Sequence, residues 1–156
     1  MKNYIDKSTR EIYAYESDGS QDAFIKEGLV PISDEDLAAM IAPTTEQLLS
    51  QLSAARKEQE RQGVTINGIR YAGDPGNRQA LQEAIALMDD AGLTEFESWK
   101  DSDTIFHANH PLADVRDAYR AIGARRSQLI AAEGEYAAQI IAGTLTDLTE
   151  TEVVWP

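Results

Sequence analysis

The sequence has no cysteine, so neither a disulfide framework nor a cysteine-based zinc site can organise it. No stretch approaches the roughly twenty consecutive apolar residues of a membrane-spanning helix, and the opening Met1-Lys2-Asn3-Tyr4-Ile5-Asp6 lacks the apolar core of a secretory signal. Histidine occurs only twice, and no glycine-rich phosphate loop, nucleophile elbow or Cys/His pair is present. Positive charge is scarce as well. Fourteen Lys and Arg stand against 27 Asp and Glu, a formal net charge of −13 that repels phosphate backbones and anionic lipid alike. Acidic pairs are plentiful, but none sits in apolar surroundings that the sequence identifies, so general acid–base chemistry has no specific support. These deficits lead us to expect a soluble, cytoplasmic, non-enzymatic protein with no cofactor, no nucleic acid and no membrane partner.

What is present is an alternation of short strand signals and amphipathic helices over 156 residues, enough for one ordinary domain or two small ones. The organising stretch is 63–73, Gly-Val-Thr-Ile-Asn-Gly-Ile-Arg-Tyr-Ala-Gly. Val64 and Ile66 alternate with polar neighbours, Asn67-Gly68 tolerates positive φ at two successive positions, and Ile69 and Tyr71 resume the alternation, which predicts a two-residue hairpin. A helix over 42–62 enters it, with Thr45 as cap and Leu48, Leu49, Leu52 and Ala55 as its apolar stripe. After Ala55 the run Arg-Lys-Glu-Gln-Glu-Arg-Gln reads as a solvated face. A second helix over 75–91 leaves the hairpin, with Asp74-Pro75 as N-cap and first residue and Gly92 as a left-handed stop.

Towards the N-terminus, Tyr4-Ile5 and 12–15 form a candidate hairpin, and 24–32 reads as a broken apolar segment packed on it. A short helix follows, capped by Ser33 and ended before Pro43. About forty residues can barely bury a core alone, so this module is expected to be mobile or to lean on something else. Further on, 96–100 and 104–107 flank the turn Asp101-Ser102-Asp103 as another hairpin. Pro111 is expected to open the last helix, with His110 as its cap. There Val115, Tyr119, Ile122, Arg126, Leu129, Glu133, Tyr136 and Ile140 advance by four and three, making a seam broken by Arg126 and Glu133. The seam reads as a core face, with a homo-oligomeric coiled coil as the competing possibility. The fold class is therefore α+β: an N-terminal β-hairpin module (1–42), a linking helix (43–62) and a C-terminal α+β domain (63–156) with two hairpins and a long terminal helix.

His107 and His110, near Asp103 and Asp114, are the one conceivable metal pair, but Pro111 splits their segment between strand and helix, and no metal site is expected. Asp101 and Asp103 open like a calcium loop without its glycine or closing glutamate, which leaves a turn. Partner-binding candidates are aromatic and terminal: Tyr13, Tyr15, Trp99, Val154 and Trp155, of which the aromatic ones are residue types enriched at interface centres.

Two stretches carry a resemblance. The run 4–15, Tyr-Ile-Asp-Lys-Ser-Thr-Arg-Glu-Ile-Tyr-Ala-Tyr, followed by Asp18-Gly19-Ser20-Gln21-Asp22 and Gly28-Leu29-Val30-Pro31-Ile32-Ser33-Asp34, resembles the opening of tail fibre assembly proteins of tailed bacteriophages and prophages. The stretch 63–71, with Arg78, Leu81, Trp99-Lys100, the long terminal helix and Trp155, is similar to a domain of formerly unknown function found in proteins encoded beside phage tail fibre genes. Asp103 departs from that pattern, where a glycine often closes the hairpin. The resemblance implies a chaperone acting in the host bacterial cytoplasm on a trimeric tail fibre protein, covering its receptor-binding tip until it assembles. It also admits a cap or adaptor retained on the virion, and a small metal-dependent enzyme using His107 and His110 stands as the distant alternative.

Overall fold

The computed structural model describes residues 1–149 and 152–156. It is mixed α+β, and it divides into two compact units, Met1–Pro43 and Thr44–Pro156.

In the first unit, strands β1 (Lys2–Asp6), β2 (Ile12–Tyr15) and β3 (Leu29–Ile32) form an antiparallel sheet in the order β2-β1-β3. Asp6 builds the turn after β1 by accepting hydrogen bonds from the backbone N–H groups of Ser8 (2.8 Å) and Thr9 (3.3 Å). β3 is a regular strand where the sequence suggested only a broken segment. Gly28, at φ 90°, turns the chain into it, and Pro31 is tolerated because β3 lies at the sheet edge and need not donate from every residue. Helix α1 (Asp34–Ile41) starts as expected, with the Ser33 hydroxyl accepting from the Asp36 N–H at 3.0 Å.

The second unit begins with helix α2 (Thr45–Gln62). Its cap is Thr44 rather than Thr45: the Gln47 N–H donates to the Thr44 hydroxyl (3.2 Å) and the Gln47 side chain accepts from the Thr44 N–H (2.8 Å), a reciprocal capping box. The expected linking helix is thus a core element, since Leu48 and Leu52 are buried with Ile140, Leu145 and Val153. Strands β4 (Val64–Ile66) and β5 (Ile69–Tyr71) follow, joined by Asn67 (φ 51°) and Gly68 (φ 81°), the double positive φ that a two-residue hairpin turn needs. Glycine is required at both ends of this hairpin. A β-carbon at Gly63 would run into the Tyr71 carbonyl and one at Gly73 into that of Glu60, so the hairpin can fold back onto the end of α2 only without side chains there.

Helix α3 (Pro75–Asp90) carries the predicted Asp74 cap, and Gly92 (φ 66°) stops it. Strands β6 (Glu95–Lys100) and β7 (Phe106–Pro111) form the second hairpin; its left-handed turn residue is Thr104 (φ 67°), beside Asp103. Here the structure corrects the sequence reading. His110 lies inside β7 rather than at a helix cap, and Pro111, whose ring has no hydrogen-bond acceptor to offer, stands at the N-cap of helix α4 (Leu112–Ile141). Along α4, Val115, Ala118 and Ile122 pack with Tyr71 and Leu81 in one cluster, while Ile140 joins the α2 cluster. Most of the predicted seam is thus covered within the chain, but Tyr119 leaves it for an exposed position and Ala118 takes its place.

Candidate partner-binding surfaces

Alternation along β2 sends Tyr13 and Tyr15 to one face of the first sheet and Ile12 and Ala14 to the other. Tyr15 is buried, edge-on to Tyr4 with ring centroids 5.6 Å apart, and its hydroxyl reaches the Phe24 carbonyl at 3.4 Å. Tyr13 is half-buried. Its hydroxyl donates to Glu11 at 2.7 Å, a bond that pushes the phenol above its ordinary pKa, and the Lys26 ammonium sits 4.6 Å from its ring centroid. Of this pair only Tyr13 reaches the surface.

The opposite face carries an aliphatic row, because the register places Ile5 directly beside Ile12 on one side and Val30 on the other. Ile12 is 39% exposed, and Val30, Phe24 and Ile41 are exposed too. Among the described residues of this unit Tyr15 is the one buried side chain. β2 has a neighbour on one side only, so its outer edge is open to a further strand.

Trp99 is placed differently. It lies half-buried in β6, at 5.0 Å from Phe96 and stacked on His110 at 5.5 Å, with Tyr71 beyond at 6.1 Å. His110 is 2% exposed and hydrogen-bonded through Nε2 to the Tyr71 hydroxyl at 2.6 Å. Burial holds the His110 imidazole below the usual histidine range and pushes the Tyr71 phenol up to about 12. Next to them Asp101 accepts from the His107 ring at 2.8 Å and from the N–H groups of Asp103 and Ile105, and the His107 bond is the largest cause of its lowered pKa. Ser102 caps the arrangement by accepting from the Ala72 N–H at 2.7 Å, while Arg70 pairs with Asp103 at 2.6 Å. These bonds lock the turn of the second hairpin onto the first. The space left between them is about 50 Å³, less than two waters' share of liquid volume. Trp99 therefore joins the two hairpins, although its Nε1 is buried without a hydrogen-bond partner. Among the described residues no group of three or more His, Asp or Glu is arranged to hold a metal ion.

At the C-terminus the chain returns to α4. Val153 is buried, and the Tyr136 hydroxyl both receives the Val154 N–H (2.9 Å) and donates to the Val154 carbonyl (3.1 Å). Trp155 meets the Tyr136 ring edge-on at 6.0 Å and is half-buried, whereas the Val154 side chain is 68% exposed. The five candidates differ in exposure. Tyr13 and Val154 face outward, Tyr15 is core, and Trp99 and Trp155 are partly covered.

A further constellation escaped the sequence reading, which took residues 56–62 as a solvated face. Glu60 is 7% exposed and is held by Arg56, by Arg126 (3.3 Å) and by Arg78 (3.3 Å), and Arg56 also pairs with Glu133 at 2.6 Å as an ion pair without an aligned N–H. The signal was present as spacing: Leu48, Leu52, Arg56 and Glu60 step by four, so the buried stripe of α2 continues in charged residues, opposite the breaks at Arg126 and Glu133 in α4.

Residues 43–154 match the model of a family described as a domain of unknown function, DUF4376. The chain belongs to this family. The matched stretch starts at the boundary between the two units and takes in α2, both two-stranded hairpins, α3 and α4. Trp99 and Val154 lie within the family domain, Trp155 just beyond it, and Tyr13 and Tyr15 precede it. No curated protein and no solved structure matches the chain. No helix among the described residues is long and apolar enough to cross a membrane.

Proposed function

We propose that this protein is a tail fibre assembly chaperone, acting by binding a trimeric bacteriophage or prophage fibre protein and by no chemical step. The observation that carries the reading is the state of the first unit: one buried side chain, an aliphatic row across its sheet, and an open edge at β2. A unit with so little core of its own presents what an unassembled β-rich fibre lacks, a strand edge to pair with and an apolar face to cover it. The resemblance of this same stretch to the opening of tail fibre assembly proteins supports the reading independently. The formal charge of −13 would keep such a complex soluble, and the help given would come from binding energy alone.

Co-expression of the neighbouring fibre gene with and without the chain tests this. The expected result is that soluble, trimeric fibre falls several-fold when the chain is omitted and that the chain is retained on the fibre in pull-downs. A fibre equally soluble, trimeric and infectious in its absence, with no capture, overturns the proposal.

A further inference from the structure

The three-stranded sheet has two outer edges, and they are not equivalent. In the turn after β1, the Asp6 N–H donates to the Glu11 carbonyl at 3.0 Å, and the Asp6 carbonyl accepts from the Arg10 N–H at 2.7 Å. The backbone groups of Asp6 therefore point toward β2, and by the alternation of an antiparallel ladder so do those of Tyr4 and Lys2. Those of Asn3 and Ile5 point the other way, toward Ile32 and Val30 of β3.

The remaining residues of the outer strands face away from β1. In β3 these are Leu29 and Pro31. Pro31 has no N–H, and the Leu29 N–H is taken by the Lys26 carbonyl at 3.4 Å, so that edge offers a further strand no donor. In β2 they are Ile12 and Ala14, both exposed, each with an N–H and a carbonyl directed outward. The open stretch ends at Glu16, whose N–H goes to the Gln21 side chain at 2.9 Å. A proline and a turn bond thus close one edge, while the other keeps two donors and two acceptors in register.

The charge around the open edge selects what can pair with it. β2 itself is uncharged, but Glu11 and Glu16 bracket it. Neither has an ion-pair partner among the described residues, and Glu11 receives only the Tyr13 hydroxyl. The unit carries nine acidic side chains against four basic ones, and Lys2–Asp22 is the one ion pair among its described residues. An acidic strand, or a second copy of this chain, would bring more of the charge already in surplus. A strand with basic ends meets a carboxylate at each of them.

We propose that β2 takes up, as a further antiparallel strand, an extended segment of a partner polypeptide with two apolar residues opposite Ala14 and Ile12 and basic residues opposite Glu16 and Glu11. Residues directly opposite one another share a face, so the two apolar side chains prolong the row of Val30, Ile5 and Ile12. This deepens the function proposed above by giving the chemistry of the recognised segment, and it rests on that reading only in taking the partner to be the fibre protein.

The test titrates the isotope-labelled full chain with the end-capped peptide Lys-Thr-Val-Thr-Val-Lys and reads backbone amides by NMR. The Ile12 and Ala14 amides should shift and gain exchange protection, while those of Tyr13 and Tyr15, already in the ladder, should gain none. Methylating both valine nitrogens removes the donors that face β2 and should abolish binding; methylating the threonine nitrogen between them, which faces away, should not. Replacing both lysines by glutamate should weaken the peptide about tenfold at low ionic strength. Ala14→Pro copies the closed edge: it removes one outward N–H, leaves the β1–β2 ladder, and should lose the peptide while the unit's spectrum is otherwise kept. If that variant unfolds the unit, the two methylated peptides still decide. No binding by wild type, equal binding of the two methylated peptides, equal binding of the glutamate peptide, or protection of Ile12 and Ala14 by self-association without peptide overturns the inference. The same proteins are then used to capture co-expressed fibre. Failure of wild type to capture fibre, with peptide pairing intact, removes the fibre reading and leaves the edge; capture that is indifferent to Ala14→Pro removes the edge and leaves the fibre reading.

Discussion

The first unit surrounds one buried tyrosine with exposed aliphatic residues, whereas the second buries two clusters and closes them with an internal ion-pair network. The difference lies in what the secondary structure can cover. In Met1–Pro43 a single sheet and one short helix give two apolar faces and too little chain to cover both. In Thr44–Pro156 the thirty-residue α4 is long enough to serve α2 at one end and the first hairpin and α3 at the other. A fold of the second kind is held by its own interior, and one of the first kind leaves apolar surface uncovered.

The strongest way to break this comparison is to remove interior from the second unit. Leu129 and Leu52 are 0% and 1% exposed, and truncating either to alanine should cost about 3–5 kcal/mol. Both tryptophans, Trp99 and Trp155, belong to this unit, so indole emission during denaturation reports it alone. Leu129→Ala should move that transition strongly, and a shift of under about 1 kcal/mol would show that the unit is not core-held.

Next in size is Glu60. Glu60→Gln removes the charge that Arg56, Arg78 and Arg126 share and leaves the half-buried Arg78 guanidinium without a carboxylate, a loss of about 2 kcal/mol in the indole-monitored transition. Glu58→Gln, two residues away and exposed, should change it by less than about 0.5 kcal/mol. Equal effects would mean that the network is surface decoration.

The contrast between these two glutamates also marks how far the sequence could be read. Features set by neighbouring residues were legible: the Asn67-Gly68 turn, the Asp74-Pro75 helix start, the Gly92 stop, and the Ser33 cap all stand where local chemistry puts them. Features set by distant partners were not. Glu60 looks solvated until Arg126 and Glu133, far along the chain, are brought beside its helix, and β3 looks broken until β1 supplies its ladder. Tyr119 and Ala118 differ by one helical step, so three-four spacing alone could not decide which enters the core. Among the candidate contacts, exposure was legible for Tyr13 and Val154 but not for Tyr15 or Trp99, because an aromatic residue suits a small core and an interface equally.

A smaller effect follows from pH. Burial lowers the His110 pKa, with His107 adding to the shift and Asp114 opposing it, while an unfolded histidine titrates near about 6.5. Below that value the unfolded chain binds a proton that the folded one refuses. The second unit should therefore be fully stable above about pH 6.5, weaken as the pH falls through it, and level off once the lowered folded pKa is passed. Asp101, also lowered, has the same sign but acts below about pH 4, so the two windows separate. His110→Phe should flatten the dependence between about pH 7 and 5. An unchanged slope would place the titrating group elsewhere.

The smallest expected change in stability bears most directly on the first unit. Ile12 is exposed on the open strand, in register with Ile5 and, across it, Val30. If the row serves a partner, Ile12→Asp should alter the unit's own stability by no more than about 0.5 kcal/mol, read by hydrogen exchange over residues 2–15, and yet abolish capture of co-expressed fibre. Tyr15→Ala supplies the opposite pattern, because that ring is interior: exchange protection should collapse across the same residues while indole emission from the second unit stays in place. Should Ile12→Asp release protection as Tyr15→Ala does, the aliphatic row is part of this unit's own core, and the contrast between a self-contained fold and one completed by a partner fails where it was drawn most sharply.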